Sequence, residues 1–305
     1  MNIVGKRYWF FLISGVLIIA AIVSLATFGL KSGIEFSAGV RLTIRFDKPV
    51  DYSAFQQEIS KLGYSDAIIQ SVGNSQFIVR LKQITDAQTA DLQTALTTAF
   101  GNLALQSQET TPGAVANTPR NAAIAVGVAL VGILIYVTIA FRKMPQPFRF
   151  GVCSVIALFH DVLVTAGLFS LFGAILGWEI NLMFITGVLT IIGYSINNTI
   201  VVFDRIRENE TKGISNDFEF IVNSSVVETL GRSFNTSITV LITTLALLLF
   251  VGTTIQNFAI VLLIGNIVGT YDSVFVAPGL LVVWDKGEWG RFIGQKATPA
   301  VAKGR

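Results

Sequence analysis

Six long runs almost free of charge limit how this chain can fold more than any other feature. About 20 residues rising about 1.5 Å each cross a hydrocarbon core about 30 Å thick. Tyr8 to Phe28, Ala122 to Phe141, Phe150 to Trp178, Ile180 to Phe203, Phe234 to Ile255 and Phe258 to Trp284 all meet that length. Four of them hold no Asp, Glu, Lys or Arg, while the third and sixth hold one acid each, Asp161 and Asp272. Charged residues make up 13% of the chain, against about a quarter in a soluble domain, too few to cover a water-facing surface. The first run follows Lys6 and Arg7 as a signal peptide would. It is longer than an h-region and lacks a small-x-small exit, so it reads as an uncleaved anchor.

Orientation follows from Lys and Arg in short loops. They precede the first span (Lys6, Arg7), recur in 142–149 and 205–232, and follow Trp284, while the loops at Glu179 and at 252–257 hold none. Both termini are therefore expected in the cytoplasm. The basic residues between Lys31 and Arg120 do not oppose this, because long domains translocate regardless of charge. The expected layout is a cytoplasmic N-terminus and first span over 1–30, an extracytoplasmic domain over 31–120, five further spans over 121–284 and a cytoplasmic tail over 285–305.

The segment 31–120 has the composition of a folded domain. Alternating apolar residues predict strands over Arg41 to Phe46, Ala67 to Val72, Gln76 to Lys82 and Leu103 to Gln106, with a Gly73-Asn74 turn; three- and four-residue spacing predicts helices over Tyr52 to Leu62 and Asp86 to Phe100. The order β-α-β-β-α-β is the ferredoxin-like arrangement. Thr110 to Pro119 reads as a tether back to the membrane. The fold class is thus a polytopic α-helical membrane protein carrying a ferredoxin-like α+β extracytoplasmic domain between its first two spans.

Ionisable groups in apolar spans cost about 2.5–3.5 kcal/mol each even on the lenient insertion scale, which makes them functional candidates by default. Asp161 falls about 17 Å into the third span and Asp272 about 18 Å from the end of the sixth, both near the midplane. There the neutral acid is favoured, the condition for a carboxyl that takes up and releases protons. His160 adjoins Asp161, but neighbours on a helix point about 100° apart, so His160 is expected to pack with its imidazole bonded to another helix. Antiparallel fourth and fifth spans place Asn198 and Arg232 in the same cytoplasmic third. Gly173-x-x-x-Gly177 and Gly265-x-x-x-Gly269 permit close helix approach. Among soluble chemistries little is left: there is no Walker loop, GxGxxG or GxSxG elbow. A net charge of +3 without a basic block argues against nucleic acid. Cys153 and His160 are single, which excludes an internal disulfide and a His-rich metal centre, and no cofactor or metal is expected.

One span, an external α+β domain and five further spans resemble half of a resistance-nodulation-division (RND) transporter. Local motifs resemble the SecF family of bacterial protein-export membrane subunits within that superfamily. They are Gly33-Ile34-Glu35-Phe36, Leu158-Phe159-His160-Asp161-Val162, the long stretch from Gly193 through Asn197, Asn198, Asp204 and Arg205 to Asn209, Leu230-Gly231-Arg232-Ser233 and Gly269-Thr270-Tyr271. The resemblance implies a non-enzymatic subunit of the bacterial cytoplasmic (inner) membrane. It would pair with a SecD-like subunit beside the SecYEG translocon, with a YajC-like accessory subunit. It would use a proton gradient, or in some bacteria sodium, to draw exported unfolded polypeptides outward. Gly193, Asn197, Asp204 and Arg205 would be structural motif residues. The family relay uses an acid in the fourth span and an arginine in the fifth. Arg232 matches the arginine, whereas Asn198 stands at the acid's position and Asp272 where Ser is usual. Glu35-Phe36-Ser37-Ala38-Gly39 likewise replaces Asp-Phe-x-Gly-Gly. On this reading Asp272, assisted by Asp161, takes over the protonatable role and alternates with an Arg232-paired state. Half of an efflux or lipid transporter of the same superfamily, or an assembly scaffold without ion coupling, are the alternatives.

Overall fold

The computed structural model describes residues 1–31, 39–71, 75–82, 84–111, 114–250 and 255–293. The Gly33 to Ala38 motif residues and the Gly73-Asn74 turn lie outside them. Helix α1 (Arg7–Phe28) is followed by β1 (Gly39–Phe46), α2 (Tyr52–Lys61), β2 (Ile68–Ser71), β3 (Gln76–Lys82), α3 (Asp86–Phe100) and β4 (Leu103–Thr111). Then come α4 (Ala114–Ala140), α5 (Phe148–Leu176), α6 (Leu182–Lys212), α7 (Phe218–Phe250), α8 (Gln256–Tyr271), a π-helical turn (Asp272–Val276) and α9 (Ala277–Lys286). Two compact units result: the sheet with α2 and α3, and a helical unit containing α1 and α5 to α9.

In the sheet unit, side chains alternate across each strand. Val40, Leu42, Ile44 and Phe46 of β1 and Phe77, Val79 and Leu81 of β3 turn to one face and are buried. Phe55 and Ile59 of α2 and Leu92 and Leu96 of α3, spaced at one helical turn, enter the same apolar cluster, so both helices cover that one face. Strand order is β2-β3-β1-β4, with every pair antiparallel, which is the ferredoxin-like sheet. Asp51 caps α2 through the Ala54 amide, and Thr85 with Gln88 forms a capping box on α3. Strand β4 runs on to Thr111 and α4 begins at Ala114, so the stretch expected to be a tether is largely regular structure.

Six helical segments are long and apolar enough to span a membrane. Their ends depart from the apolar runs. The stretch 205–232, expected as a loop, is helical except at its centre, because α6 runs to Lys212 and α7 starts at Phe218. Hydropathy detects the hydrocarbon layer, not the end of the hydrogen-bonded helix. Beyond that layer the helices persist on side-chain pairs: Arg205 with Glu208 (2.5 Å), Asp204 with Arg207 (2.5 Å) and Glu208 with Lys212 (2.6 Å) lie three or four residues apart, the spacing that brings helix side chains together. Arg205 with Glu228 (2.5 Å) and Asn209 with Ser225 (3.0 Å) join the two extensions.

Close approach fixes the helical unit. A methyl group on Gly167 of α5 would meet the Ala21 Cβ of α1 at 2.3 Å and its Cα at 2.4 Å; beside that crossing Ser24 donates to the Gly167 carbonyl (3.0 Å) and Ser170 to the Ser24 carbonyl (3.0 Å). Gly177, read as part of a packing motif, instead ends α5 in the left-handed region (φ 76°). At one end of the unit, buried Arg7 pairs with Glu219 (2.8 Å) and Glu288 (2.6 Å), Arg149 pairs with Asp285 (2.8 Å), and Lys286 also meets Glu219. The starts of α1, α5 and α7 and the end of α9 therefore share one end of the bundle.

Candidate functional site

The sixth apolar run is not one continuous α-helix. Pro278 has no amide to donate and its ring crowds the carbonyl four residues back, that of Val274. The backbone relaxes by widening into the π turn over Asp272–Val276, a local form frequent at functional positions. Asp272 opens that turn and is fully buried.

Asp272 meets the two ionisable groups of α5. His160 Nδ1 lies 3.3 Å from Asp161 Oδ1 and 3.6 Å from Asp272 Oδ1. One ligating atom from each of the three residues lies within 4.8 Å of the others. His160 thus faces a group on another helix, Asp272, but contrary to expectation it also turns to its chain neighbour Asp161. The 100° offset fixes where adjacent Cβ atoms point, yet both side chains here reach toward the π turn. Asp161 Oδ2 accepts from Ser195 of α6 (2.5 Å). Both oxygens of Asp272 and Nε2 of His160 are buried without a hydrogen-bond partner among the described residues. Gly269 makes room for this arrangement: a methyl group there would lie 3.0 Å from the Ser195 Cβ and 3.2 Å from Asp161 Oδ2. One turn earlier, Gly265 faces Ile191 of α6, so the Gly265-x-x-x-Gly269 spacing does seat α8 against α6.

A seam of neutral polar groups adjoins the acids. Thr199 donates to Ser273 Oγ (2.9 Å), which donates to the Ser195 carbonyl (3.1 Å). Asn198 donates to Ser237 of α7 (3.4 Å), Thr270 to the same hydroxyl (2.6 Å), and Asn266 to the Ser237 carbonyl (2.9 Å). Ser195, Thr199, Ser237, Asn266, Thr270 and Ser273 were not singled out as site residues from sequence. Their signal was present as four-residue spacings of small polar residues inside apolar runs, Ser195 with Thr199 and Asn266 with Thr270.

Arg232 is not part of this seam. It is exposed on α7 and lines an open polar cleft with Asp204, Arg205, Glu208 and Glu228. Antiparallel register explains the separation: Asn198 sits level with Ser237, about 7.5 Å along the axis from Arg232. Among the described residues Arg232 pairs with neither Asn198 nor Asp272. Gly193, Asn197 and Asp204 are also exposed, on α6. Asn197 is a bare amide within an apolar run, the kind of group that faces protein or a polar cavity rather than lipid.

Residues 91–287 match the family of the protein export membrane protein SecD/SecF, C-terminal, and residues 23–50 match the SecD/SecF GG motif. The chain belongs to the SecD/SecF family of protein-export membrane proteins. It is 41% identical to a protein translocase subunit SecF of Thermobaculum terrenum, with 99% of each chain covered. It is 39% identical to a SecF of Anaerolinea thermophila, covering 99% of this chain and 100% of that one. A crystal structure of SecDF in a super-membrane-facing form superposes with a TM-score of 0.74 at 31% identity, over 97% of this chain and 40% of the other. The chain thus spans about two fifths of that SecDF chain. Family membership makes it a multi-pass membrane protein with a transport-type role.

Proposed function

We propose that this chain is the SecF half of an ion-driven protein-export machine, pairing with a SecD-like subunit beside a SecYEG-type channel. The observation that carries the reading is the His160, Asp161 and Asp272 cluster. Two fully buried carboxyls, one with no hydrogen-bond partner among the described residues, are costly inside a membrane and serve no evident packing need. They supply the ion-handling group that Asn198 cannot, since an amide does not titrate in the physiological range. Chains of the SecDF type, in which a SecF-like part is about two fifths of the whole, support the SecD partner. So does the exposed polar face of Asn197, Asp204 and Arg232, a surface suited to a second set of helices.

The layout proposed is an inner-membrane protein with both termini cytoplasmic, the sheet unit outside, and a channel, a YajC-like subunit and an unfolded client as further partners. The shared cluster of charges at Arg7, Arg149, Glu219 and Asp285 is consistent with one charged end facing the cytoplasm. Alkaline phosphatase fused after Trp284 should be inactive, and active when fused within 31–120; the reverse pattern overturns the layout.

The functional test is gradient-dependent export in vesicles carrying the full complex. Asp272→Asn should remove the gradient-dependent part, and Asn198→Asp combined with Asp272→Ser should restore it. Full gradient dependence in Asp272→Asn would move the relay into the partner and favour the scaffold reading for this chain. Arg232→Lys should impair export with normal accumulation, because an ammonium does not reproduce the planar fork that would grip an acid of the partner subunit.

A further inference from the structure

The same three residues each bring one potential ligand atom within 4.8 Å of the others. His160 Nδ1 makes a long hydrogen bond of 3.3 Å with Asp161 Oδ1 and lies 3.6 Å from Asp272 Oδ1, beyond the usual 2.7–3.2 Å of an N–H···O bond. Both distances from the imidazole fall in the range of neighbouring ligands on a tetrahedral ion held at about 2.0–2.2 Å, which is about 3.3–3.6 Å. Asp272 is fully buried, its Oδ1 faces His160, and neither of its oxygens has a hydrogen-bond partner among the described residues, whereas Asp161 keeps Oδ1 toward His160 and is steadied through Oδ2 by Ser195. That hydroxyl is an outer partner of the kind that orients a ligating carboxylate.

We propose that His160, Asp161 and Asp272 form an intramembrane binding site for one divalent transition-metal ion of the zinc class. The donor set selects the class. One imidazole nitrogen with two carboxylates suits zinc, cobalt or manganese, while magnesium and calcium prefer all-oxygen shells. Two carboxylates beside a neutral imidazole carry two negative charges, which a single divalent ion balances and a monovalent ion does not. The ligands come from the middle of α5 and from the π turn after α8, so a bound ion ties two helices that otherwise meet here without a direct hydrogen bond to Asp272. An ion in this position occupies the carboxyls that the proposed coupling step uses, so this inference deepens that reading into a means of arresting it.

Zinc binding is read on the purified full chain in detergent, with no gradient and no partner, so failure of the metal site and failure of coupling are scored separately. Equilibrium dialysis with elemental analysis should give one zinc per chain. Cobalt(II) should give visible ligand-field bands in the same preparation. His160→Gln and Asp272→Asn should each weaken zinc at least tenfold, since loss of even an outer partner costs about 10–100-fold, and His160→Gln should shift the cobalt bands. Replacing the exposed acids, as in Asp204→Asn with Glu208→Gln, should leave the stoichiometry unchanged. Absence of stoichiometric zinc, zinc that persists in both cluster variants, or zinc displaced by millimolar sodium would each overturn the site. Circular dichroism and gel filtration confirm the fold of each variant, and Asp161→Asn provides a third independent ligand test.

Discussion

The two units of this protein bury different chemistry. In the sheet unit, Phe46, Phe55, Phe77 and Phe100 interlock, with Phe55 stacked on Phe77 at 4.3 Å between ring centres, and the clustered interior is aliphatic and aromatic. In the helical unit, small hydroxyls and amides form the seam between α6, α7 and α8, and two carboxyls and an imidazole converge at the π turn. The clustered apolar side chains of the first interior stabilise it because each gains by leaving water. Helices in lipid gain nothing comparable from apolar contact and instead rely on close packing and hydrogen bonds. That difference sets four expectations.

Largest is the effect of Phe55→Ala, which opens a void beneath the aromatic cluster and should cost the sheet unit about 3–5 kcal/mol. Urea unfolding of a fragment spanning 35–112 measures it, and the unaltered fragment should give dispersed amide resonances. A fragment disordered in solution would show that this interior is not self-sufficient. Next is Gly167→Ala in the membrane unit, where backbone faces backbone across α1 and α5; overpacking should cost about 1–3 kcal/mol, read as earlier unfolding in a denaturing-detergent titration. A neutral result there would mean that the crossing can slide.

Asp272→Asn separates the interiors most directly. Asp272 has no hydrogen-bond partner among the described residues, so the isosteric amide breaks no hydrogen bond, and the thermal midpoint in detergent should match that of the unaltered protein while gradient-dependent export is lost. A large destabilisation would make Asp272 a structural residue. The smallest effect concerns the exposed Asp66–Lys82 pair of the sheet unit (2.5 Å). Hydrogen bonds from Lys82 and then Ser65 hold the Asp66 carboxyl below its ordinary value of 3.8. A depressed folded value stabilises above the unfolded value of about 3.9 and is lost as pH falls through the folded one. With both partners about half exposed, Lys82→Gln should cost less than about 1 kcal/mol at pH 7. It should also flatten the acid side of the stability profile below about pH 5; an unchanged profile would assign the acid dependence to other carboxyls.

Legibility differed between the units for physical reasons. Strand and helix periodicities put Val40, Leu42, Ile44, Phe55 and Leu92 inside from pattern alone, since one face of each element has to leave water. Spans were equally legible in number, and Asp161 and Asp272 stood out as costly residues. Helix ends did not, because ion pairs at three- and four-residue spacing carried α6 and α7 beyond the apolar layer. Arg232 was read toward Asn198 from depth alone, and helix rotation, which hydropathy does not encode, turned it outward.

By itself the sequence determined the number of spans, the alternation of the sheet unit and the presence of unusual acids in the membrane. Those are properties of single segments, set by burial and local periodicity. Tertiary structure alone decided that acids from the third and sixth spans meet. Asp161 and Asp272 are far apart along the chain and share no local pattern; the contact depends on Gly269 admitting α6 and α8 to close range and on Pro278 widening the helix at Asp272. Convergence of this kind is a consequence of how helices pack, and no single segment carries it.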